Sequence, residues 1–243
     1  MCFDTDSAPP IPVIAGAAVS HEHLELVAAD GNRFSAFLAV PDEPATVGVV
    51  IYPDVRGLYR FYEELALRFA ERGQAAIAFD YFGRSAGTGT RDGDFEYMPH
   101  VEQTTSDGVQ ADAGAAIARL RELGVQAVFS VGFCFGGRAS WIAAASGHGL
   151  AGAVGFYGHP GLALEHVPAI DAPILALQAG DDARITPYWN SLFEHALTYE
   201  HVDHELVVYD GAPHSFFDRK QEEFADASDD AWRRTQEFIA RPA

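Results

Sequence analysis

Short apolar runs and longer amphipathic segments alternate along most of this 243-residue chain. Apolar runs of about four to eight residues between turn-forming residues are typical of buried strands, and apolar positions three or four apart indicate helices. The pattern predicts strands at Val47–Tyr52, Ala75–Phe79, Ala127–Val131, Leu150–Tyr157, Pro173–Gln178 and Glu205–Tyr209. It predicts helices at Phe61–Arg72, Thr104–Leu123, Arg138–Ala145, Pro187–Leu197 and Asp218–Ile239.

A hairpin precedes these elements. Two strand-like segments, His21–Ala28 and Asn32–Val40, flank Asp30-Gly31, a dipeptide typical of tight turns. Strands that then alternate with helices predict an α/β fold, a three-layer sandwich with a mostly parallel sheet. We expect residues 1–20 to form an N-terminal arm. Because no repeat or linker interrupts the remainder, we expect residues 21–243 to form a single domain.

Composition and charge limit the setting and the partners. The formal net charge of −19 argues against nucleic acid and anionic membrane surfaces as partners. It also means that a small anionic substrate would need a local positive patch. The two cysteines, Cys2 and Cys134, do not make a disulfide framework, and the sequence shows neither a signal peptide nor a membrane span. We therefore expect a cytoplasmic protein, monomeric or a small homo-oligomer.

The segment Gly132-Phe133-Cys134-Phe135-Gly136-Gly137 lies between a predicted strand and a predicted helix. This is the arrangement of the G-x-S-x-G nucleophile elbow, with cysteine in place of serine. Glycines are needed there because a Cβ on either flank would collide with the sharp turn. The alternative interpretation is a buried cysteine at a tight turn without a chemical role.

Polar residues that follow other predicted strands support the chemical interpretation. Asp54, Asp182 and His214 each follow a strand, and the carboxyl ends of parallel strands meet at one edge of a sheet. Cys134, Asp182 and His214 also stand in the order nucleophile, acid, histidine that α/β-hydrolases use. In such a triad the histidine takes the proton of the nucleophile and the carboxylate orients the imidazole. Asp181 remains an alternative to Asp182.

An acyl-transfer site also needs two backbone N–H donors for the developing oxyanion. We expect one from Phe135, directly after the nucleophile, and one from Val55 in the loop after Tyr52. We expect no metal and no other cofactor. His21 and His23 share a strand face, but the sequence offers no third ligand at a matching spacing, so a solvated strand face is the better interpretation.

Together these segments resemble the dienelactone hydrolase (carboxymethylenebutenolidase) family of the α/β-hydrolase superfamily. The resemblance runs from about Val19 to Ile239 and rests on the cysteine elbow, on Gly180-Asp181-Asp182 and on Ala212-Pro213-His214-Ser215-Phe216. Val49–Asp54 also fits the family pattern. The resemblance implies a single α/β-hydrolase domain with little or no cap and no cofactor.

The resemblance also implies substrate-binding roles. An acidic residue of the family interacts with the thiol, and the matching residue is Asp54, an aspartate where glutamate is typical. Arginines of the family hold a substrate carboxylate, and Arg84 matches one of them. The second should follow the histidine, but Asp218 stands at that offset and Arg219 one residue later. Arg56 and Arg184 also lie in loops that we expect to face the site.

We therefore expect a hydrolase that cleaves small ester or lactone substrates, anionic ones in particular, through a thioester acyl-enzyme. A broader carboxylesterase or thioesterase is the first alternative. A non-catalytic ligand-binding protein on a hydrolase scaffold is the second, and a redox-sensing thiol is the third. The long polar segment Tyr81–His100 is a candidate functional loop because such loops are uncommon in compact domains.

Overall fold

A single eight-stranded sheet organises the part of the chain that this computed structural model describes, residues 4, 6–91, 93 and 95–241. The strands follow the spatial order β1-β2-β4-β3-β5-β6-β7-β8. Their bounds are β1 Val19–Val27, β2 Arg33–Pro41, β3 Val47–Tyr52, β4 Ala75–Phe79, β5 Ala127–Phe133, β6 Gly152–Phe156, β7 Ile174–Asp181 and β8 His204–Pro213. The helices are α1 Arg60–Ala70, α2 Gly83–Ala86, α3 Met98–Val101, α4 Ser106–Glu122, α5 Phe135–Ala143, α6 Pro187–Tyr199 and α7 Ala225–Ile239.

The sheet is parallel from β4 to β8 and antiparallel at its N-terminal edge. β1 pairs with β2 and β2 with β4 in antiparallel register, whereas every later pairing is parallel. All residues of β4 and β6 are buried, which explains why these strands read as unbroken apolar runs. The predicted fold class, an α/β sandwich with an antiparallel N-terminal hairpin, is confirmed.

Helices cover both faces of the sheet. On one face α1 and α7 cover a core that includes Phe61, Phe133 and Phe238. On the other face α4, α5 and α6 cover a core that includes Trp141 and Phe193. Burial on both faces fixes the register of the parallel strands, and so fixes which residues emerge at their carboxyl ends.

The sequence prediction was wrong about the start of the last helix. Helix α7 begins at Ala225 rather than Asp218. The carboxylate of Asp218 instead accepts a hydrogen bond from Ser7 Oγ at 2.6 Å and one from the backbone N–H of Lys220 at 3.2 Å. These bonds hold the chain in a turn that also fastens the N-terminal segment, because Arg219 N donates to Ala8 O at 3.0 Å. The predicted N-terminal arm includes four residues outside the described part of the chain, one of them Cys2.

The segment between β4 and α4 carries two short helices, α2 and α3, within the predicted long loop. Helix α4 begins where Thr105 Oγ1 accepts a hydrogen bond from Gly108 N at 3.1 Å, an ordinary N-cap. In the described part of the chain, no helix combines the length and the apolar character that crossing a bilayer requires.

Candidate active site

Cys134 occupies the turn between β5 and α5. Its backbone has φ 55° and ψ −111°, a strained conformation for a residue with a side chain. The backbone N–H of Cys134 donates to Phe156 O at 2.9 Å, so the neighbouring strand β6 fixes the turn. The thiol is half-buried. A strained, half-exposed residue at a strand–helix turn is the geometry of a nucleophile elbow.

Close packing explains the glycines around this turn. A Cβ on Gly132 would lie 2.0 Å from Gly136 O, and one on Gly136 would lie 2.1 Å from Tyr52 O. Both separations are shorter than any real Cβ contact, so a side chain at either position would displace backbone atoms. The elbow is therefore pressed against the end of β3, which places Cys134 beside the loop that follows Tyr52.

Asp182 and His214 meet at the carboxyl ends of β7 and β8. His214 Nδ1 lies 2.5 Å from Asp182 Oδ2, and the Asp182 side chain is only 1% exposed. The backbone N–H of Arg184 donates to Asp182 Oδ1 at 2.8 Å. Asp181, the alternative acid, ends β7 with its side chain exposed. The structure thus pairs His214 with Asp182.

Burial and hydrogen bonding act in opposite directions on the pKa of Asp182. Burial alone would raise it, but the hydrogen bonds from His214 and from the backbone of Arg184 outweigh burial, and the pKa lies below its usual value. Asp182 is therefore a carboxylate at neutral pH. A carboxylate at Nδ1 fixes the imidazole tautomer that leaves Nε2 able to accept a proton.

Tyr157 links the histidine to the elbow. Its ring centroid lies 5.0 Å from that of His214, and its backbone has a positive φ of 36°. The preceding residue, Phe156, is the one whose carbonyl binds Cys134 N. The last residue of β6 and the residue that follows it thus contact the nucleophile candidate and the base candidate, respectively.

Asp54 is fully buried in the loop after β3. Its Oδ1 accepts from Arg56 N at 2.8 Å, and its Oδ2 accepts from Tyr59 Oη at 3.3 Å. Its backbone N–H donates to Tyr62 Oη at 2.8 Å. Residues of its own loop and of the start of α1 therefore fix this carboxylate next to the strand end against which the elbow packs.

The two candidate oxyanion donors come from the residue after Cys134 and from the loop after β3. Phe135 is the first residue of α5, so its N–H has no intrahelical acceptor. Val55 is half-buried in the loop after β3. Tyr81 fastens that loop to the elbow, because its hydroxyl donates to Pro53 O at 2.6 Å and its ring centroid lies 5.1 Å from that of Phe135.

Arg84 does not offer a free cation to a substrate. Its Nη1 lies 2.6 Å from Asp30 Oδ2, and its Nη2 lies 2.8 Å from Asp112 Oδ1. Two carboxylates thus neutralise the guanidinium and tie α2 to the hairpin and to α4. Asp218, at the position of the second expected arginine, is buried and bonded to Ser7. These pairings do not fit the substrate-binding role that the resemblance implied for Arg84.

Arg138, which the sequence prediction did not single out, lies four residues after Cys134 in α5. Its guanidinium carbon lies 4.6 Å from the centroid of the Phe135 ring. No carboxylate of the described residues lies within ion-pairing distance of it.

A cleft of about 650 Å³ opens beside the Asp54 loop. None of Cys134, Asp182 and His214 lines it, but Arg56 and Tyr59, which both bind the Asp54 carboxylate, do. Its walls come from the hairpin, the start of α1 and the segment after α2, and include Leu24, Leu58, Phe95 and Tyr97. Among the described side chains, no group of three or more His, Cys, Asp and Glu residues could hold a metal ion.

Similar solved structures identify the fold. The dienelactone hydrolase-like promiscuous phosphotriesterase P91 from metagenomic libraries superimposes with a TM-score of 0.80 at 22% identity, over 92% of this chain and 98% of that one. Brefeldin A esterase, a bacterial homologue of human hormone-sensitive lipase, gives 0.68 at 14% identity, over 95% of this chain and 80% of that one. The fold is that of the α/β-hydrolases.

Sequence comparison gives the family. The model of the dienelactone hydrolase family matches residues 34–242, and the chain belongs to this family. It is 28% identical, in an alignment of 248 positions, to the "Putative carboxymethylenebutenolidase" of Saccharolobus solfataricus, and the alignment covers 87% of this chain and 95% of that relative. The resemblance stated from the motifs is confirmed, and the protein is a hydrolase that acts on ester or lactone bonds.

Proposed function

We propose that the protein hydrolyses small carboxylic esters or lactones with Cys134 as nucleophile, His214 as base and Asp182 as the orienting acid. The observation that carries the proposal is the 2.5 Å contact between His214 Nδ1 and Asp182 Oδ2 at the same sheet edge as a cysteine in a strained elbow. A binding protein would need neither the pair nor the strain.

The reaction has two halves. In the first, Cys134 Sγ attacks the substrate carbonyl carbon while its proton passes to His214 Nε2. A C–S bond forms, the ester C–O bond breaks, and the imidazolium returns the proton to the leaving oxygen. In the second half, water gives a proton to His214 and attacks the thioester carbonyl. The C–S bond breaks, the imidazolium returns the proton to Cys134 Sγ, and the acid product leaves.

Backbone N–H groups stabilise the charge that develops on the carbonyl oxygen in both halves. Phe135 and Val55 are the donors in this proposal, and the positive end of the α5 dipole adds to them. Asp54 belongs to the loop against which the elbow packs, and Arg56 and Tyr59, which bind its carboxylate, line the cleft, so we assign Asp54 to substrate binding and to control of the thiol. The acyl or leaving group of the substrate then extends toward the cleft.

Mass spectrometry of the intact protein tests the nucleophile. Brief mixing with an enol-lactone or with 4-nitrophenyl acetate should add one acyl mass to the wild-type protein, and Cys134→Ala should show no adduct and lose at least about 10³-fold in kcat/KM. The matched control is Cys2→Ala, which should keep both the adduct and the turnover. An adduct that persists in Cys134→Ala, or turnover that is unchanged, would exclude this mechanism.

A broader carboxylesterase or thioesterase is the second candidate, and one observation favours it. Arg84 is neutralised by Asp30 and Asp112, and Asp218 replaces the second arginine that the family resemblance predicted. A site without these two cations should discriminate less strongly in favour of a dienelactone, which carries a carboxylate, over neutral esters. Comparing kcat/KM for dienelactones, neutral aryl esters and acyl thioesters separates the two candidates.

A further inference from the structure

A buried carboxylate lies against the turn that carries Val55. The turn runs from Asp54 to Gly57, and Gly57 N donates to Asp54 O at 3.1 Å. Gly57 packs directly on Asp80, because a Cβ at Gly57 would lie only 2.5 Å from Asp80 Oδ1. The next N–H of the chain, that of Leu58, donates to the same oxygen at 3.3 Å. The carboxylate of Asp80 therefore contacts the end of this turn.

Tyr81, the residue after Asp80, holds the start of the same turn. Its hydroxyl donates to Pro53 O at 2.6 Å and also contacts Asp54 O. Asp80 and Tyr81 thus fix the two ends of the turn from the carboxyl end of β4. Val55 lies between these ends, and its N–H has no acceptor among the described residues.

Arg91 supplies the counter-charge of Asp80. Both residues are buried. Arg91 Nε donates to Asp80 Oδ2 at 3.0 Å, and Arg91 Nη2 lies 2.9 Å from the same oxygen. Burial raises the pKa of Asp80, and the charge and the hydrogen bond of Arg91 oppose that rise. Because a buried carboxylate without its cation is strongly destabilised, the placement of Asp80 depends on Arg91.

Arg91 belongs to the segment between α2 and α3, within the long polar segment Tyr81–His100 that was predicted as a candidate functional loop. Its guanidinium donates to Gly87 O and lies 4.6 Å from the centroid of the Phe95 ring. Arg91 and Phe95 also line the cleft of about 650 Å³. One segment therefore provides both a wall of the cleft and the cation that holds Asp80.

We propose that Asp80 and Arg91 are positioning residues that hold the N–H of Val55 where it binds the oxyanion. The inference rests on the proposed function, because it requires a tetrahedral intermediate at Cys134 with Val55 as a donor. A positioned donor contributes most when negative charge develops on the carbonyl oxygen. A displaced turn should therefore lower kcat and leave the binding of the uncharged ground state nearly unchanged.

Steady-state kinetics with 4-nitrophenyl acetate test this role. Arg91→Gln should lower kcat about 10–100-fold and keep KM within about threefold of wild type. Arg91→Lys keeps the charge but not the planar guanidinium, so it should lose less, at least about threefold in kcat. The matched control is Arg68→Gln, which breaks a largely buried ion pair with Glu71 at the end of α1. It should lower stability without lowering kcat.

A pair of inhibitors isolates the oxyanion. Cys134 Sγ adds to the carbonyl carbon of 1,1,1-trifluoro-4-phenylbutan-2-one. A C–S bond forms, the carbonyl π electrons move to the oxygen, and the thiol proton passes to His214. The corresponding alcohol has a similar shape but cannot form this adduct. Arg91→Gln should weaken inhibition by the ketone at least about tenfold and inhibition by the alcohol at most about twofold.

Circular dichroism during heating shows which variants are folded at the assay temperature. Wild-type kcat in folded Arg91→Gln, or in Arg91→Lys where Arg91→Gln does not fold, would overturn the positioning role. Equal weakening of the ketone and the alcohol, or the same loss of kcat in Arg68→Gln, would also overturn it. Failure of the proposed function has a different sign, since turnover would then persist in Cys134→Ala.

Discussion

His214 Nδ1 lies 2.5 Å from Asp182 Oδ2, although 32 residues separate the two side chains along the chain. The contact exists because β7 and β8 are adjacent and parallel, so that residues leaving their carboxyl ends emerge together. Asp182 is fixed further by the backbone N–H groups of Arg184 and Ile185, at 2.8 and 3.3 Å. The turn after β7 therefore holds the Asp182 carboxylate in place independently of its contact with His214.

Asp182→Asn should lower kcat/KM for aryl esters by about 10²–10⁴-fold, because an amide permits the wrong imidazole tautomer and cannot stabilise the imidazolium. The matched control is Asp181→Asn, which changes the exposed neighbour and should stay within about twofold of wild type. Steady-state kinetics at saturating and limiting substrate measure both variants. Equal losses in the two, or a greater loss in Asp181→Asn, would remove Asp182 from the triad.

The pH dependence of stability offers a separate test of the same carboxylate. The pKa of Asp182 is lower in the folded chain than the ordinary value near 3.9. A group of this kind contributes its full stabilisation above the unfolded pKa and loses it as pH falls through the folded pKa. Asp182→Asn should therefore cost about 1–3 kcal/mol at pH 7 and less at pH 3. Urea denaturation of both proteins at the two pH values measures this, and a pH-independent cost would contradict the assignment.

The fold and most of the candidate site were predictable from local patterns. The strand Ala75–Phe79 was predicted to the residue, because a fully buried parallel strand has an unbroken run of apolar residues. The elbow was predictable because only glycine fits at Gly132 and Gly136, and the two glycines therefore mark the tight turn in the sequence. The predicted strand ends also indicated that Cys134, Asp182 and His214 lie at one edge of the sheet.

What could not be predicted depends on contacts between distant segments. The carboxylates that neutralise Arg84 are Asp30 in the hairpin turn and Asp112 in α4. Neither ion pair can be predicted from the residues near Arg84 in the sequence. The start of α7 was placed too early because Asp218 bonds to Ser7, 211 residues away. Arg138 was passed over since an arginine in a helix is usually a solvated residue, and only the lack of a counter-charge distinguishes it.

Alanine should destabilise the folded chain at the elbow glycine Gly136 but not at Gly114 in α4. Gly136→Ala would place a Cβ 2.1 Å from Tyr52 O and 2.2 Å from Pro53 O, both backbone atoms that cannot move without shifting β3. We expect a loss of more than about 3 kcal/mol in the free energy of unfolding, or failure to fold. Gly114→Ala is the control, since its Cβ would lie 3.4 Å from a His148 ring atom, an ordinary contact, and it should be neutral or stabilising by up to about 1 kcal/mol. Similar losses in both variants would show that the packing argument is wrong.

The ion pair between Arg84 and Asp112 gives the last prediction. The Asp112 side chain is fully buried, and its other partner is Asn32 Nδ2 at 2.9 Å. Burial raises the pKa of Asp112, while Asn32 and Arg84 oppose that rise. Removal of the cation in Arg84→Gln should raise this pKa further and destabilise the folded chain by about 1–3 kcal/mol at pH 7.

The sign of the pH effect distinguishes this structural role of Arg84 from a role in substrate binding. A carboxyl whose folded pKa is raised contributes most below its unfolded pKa and loses that contribution as pH rises, so the cost of Arg84→Gln should be larger at pH 7 than at pH 4. Arg33→Gln, which removes an exposed pair with Glu25, should destabilise the chain less than Arg84→Gln does, because solvent screens an exposed pair. Urea denaturation measures both variants. If Arg84→Gln were as stable as the wild type and lost activity only toward anionic substrates, Arg84 would have the substrate-binding role that the family resemblance implied.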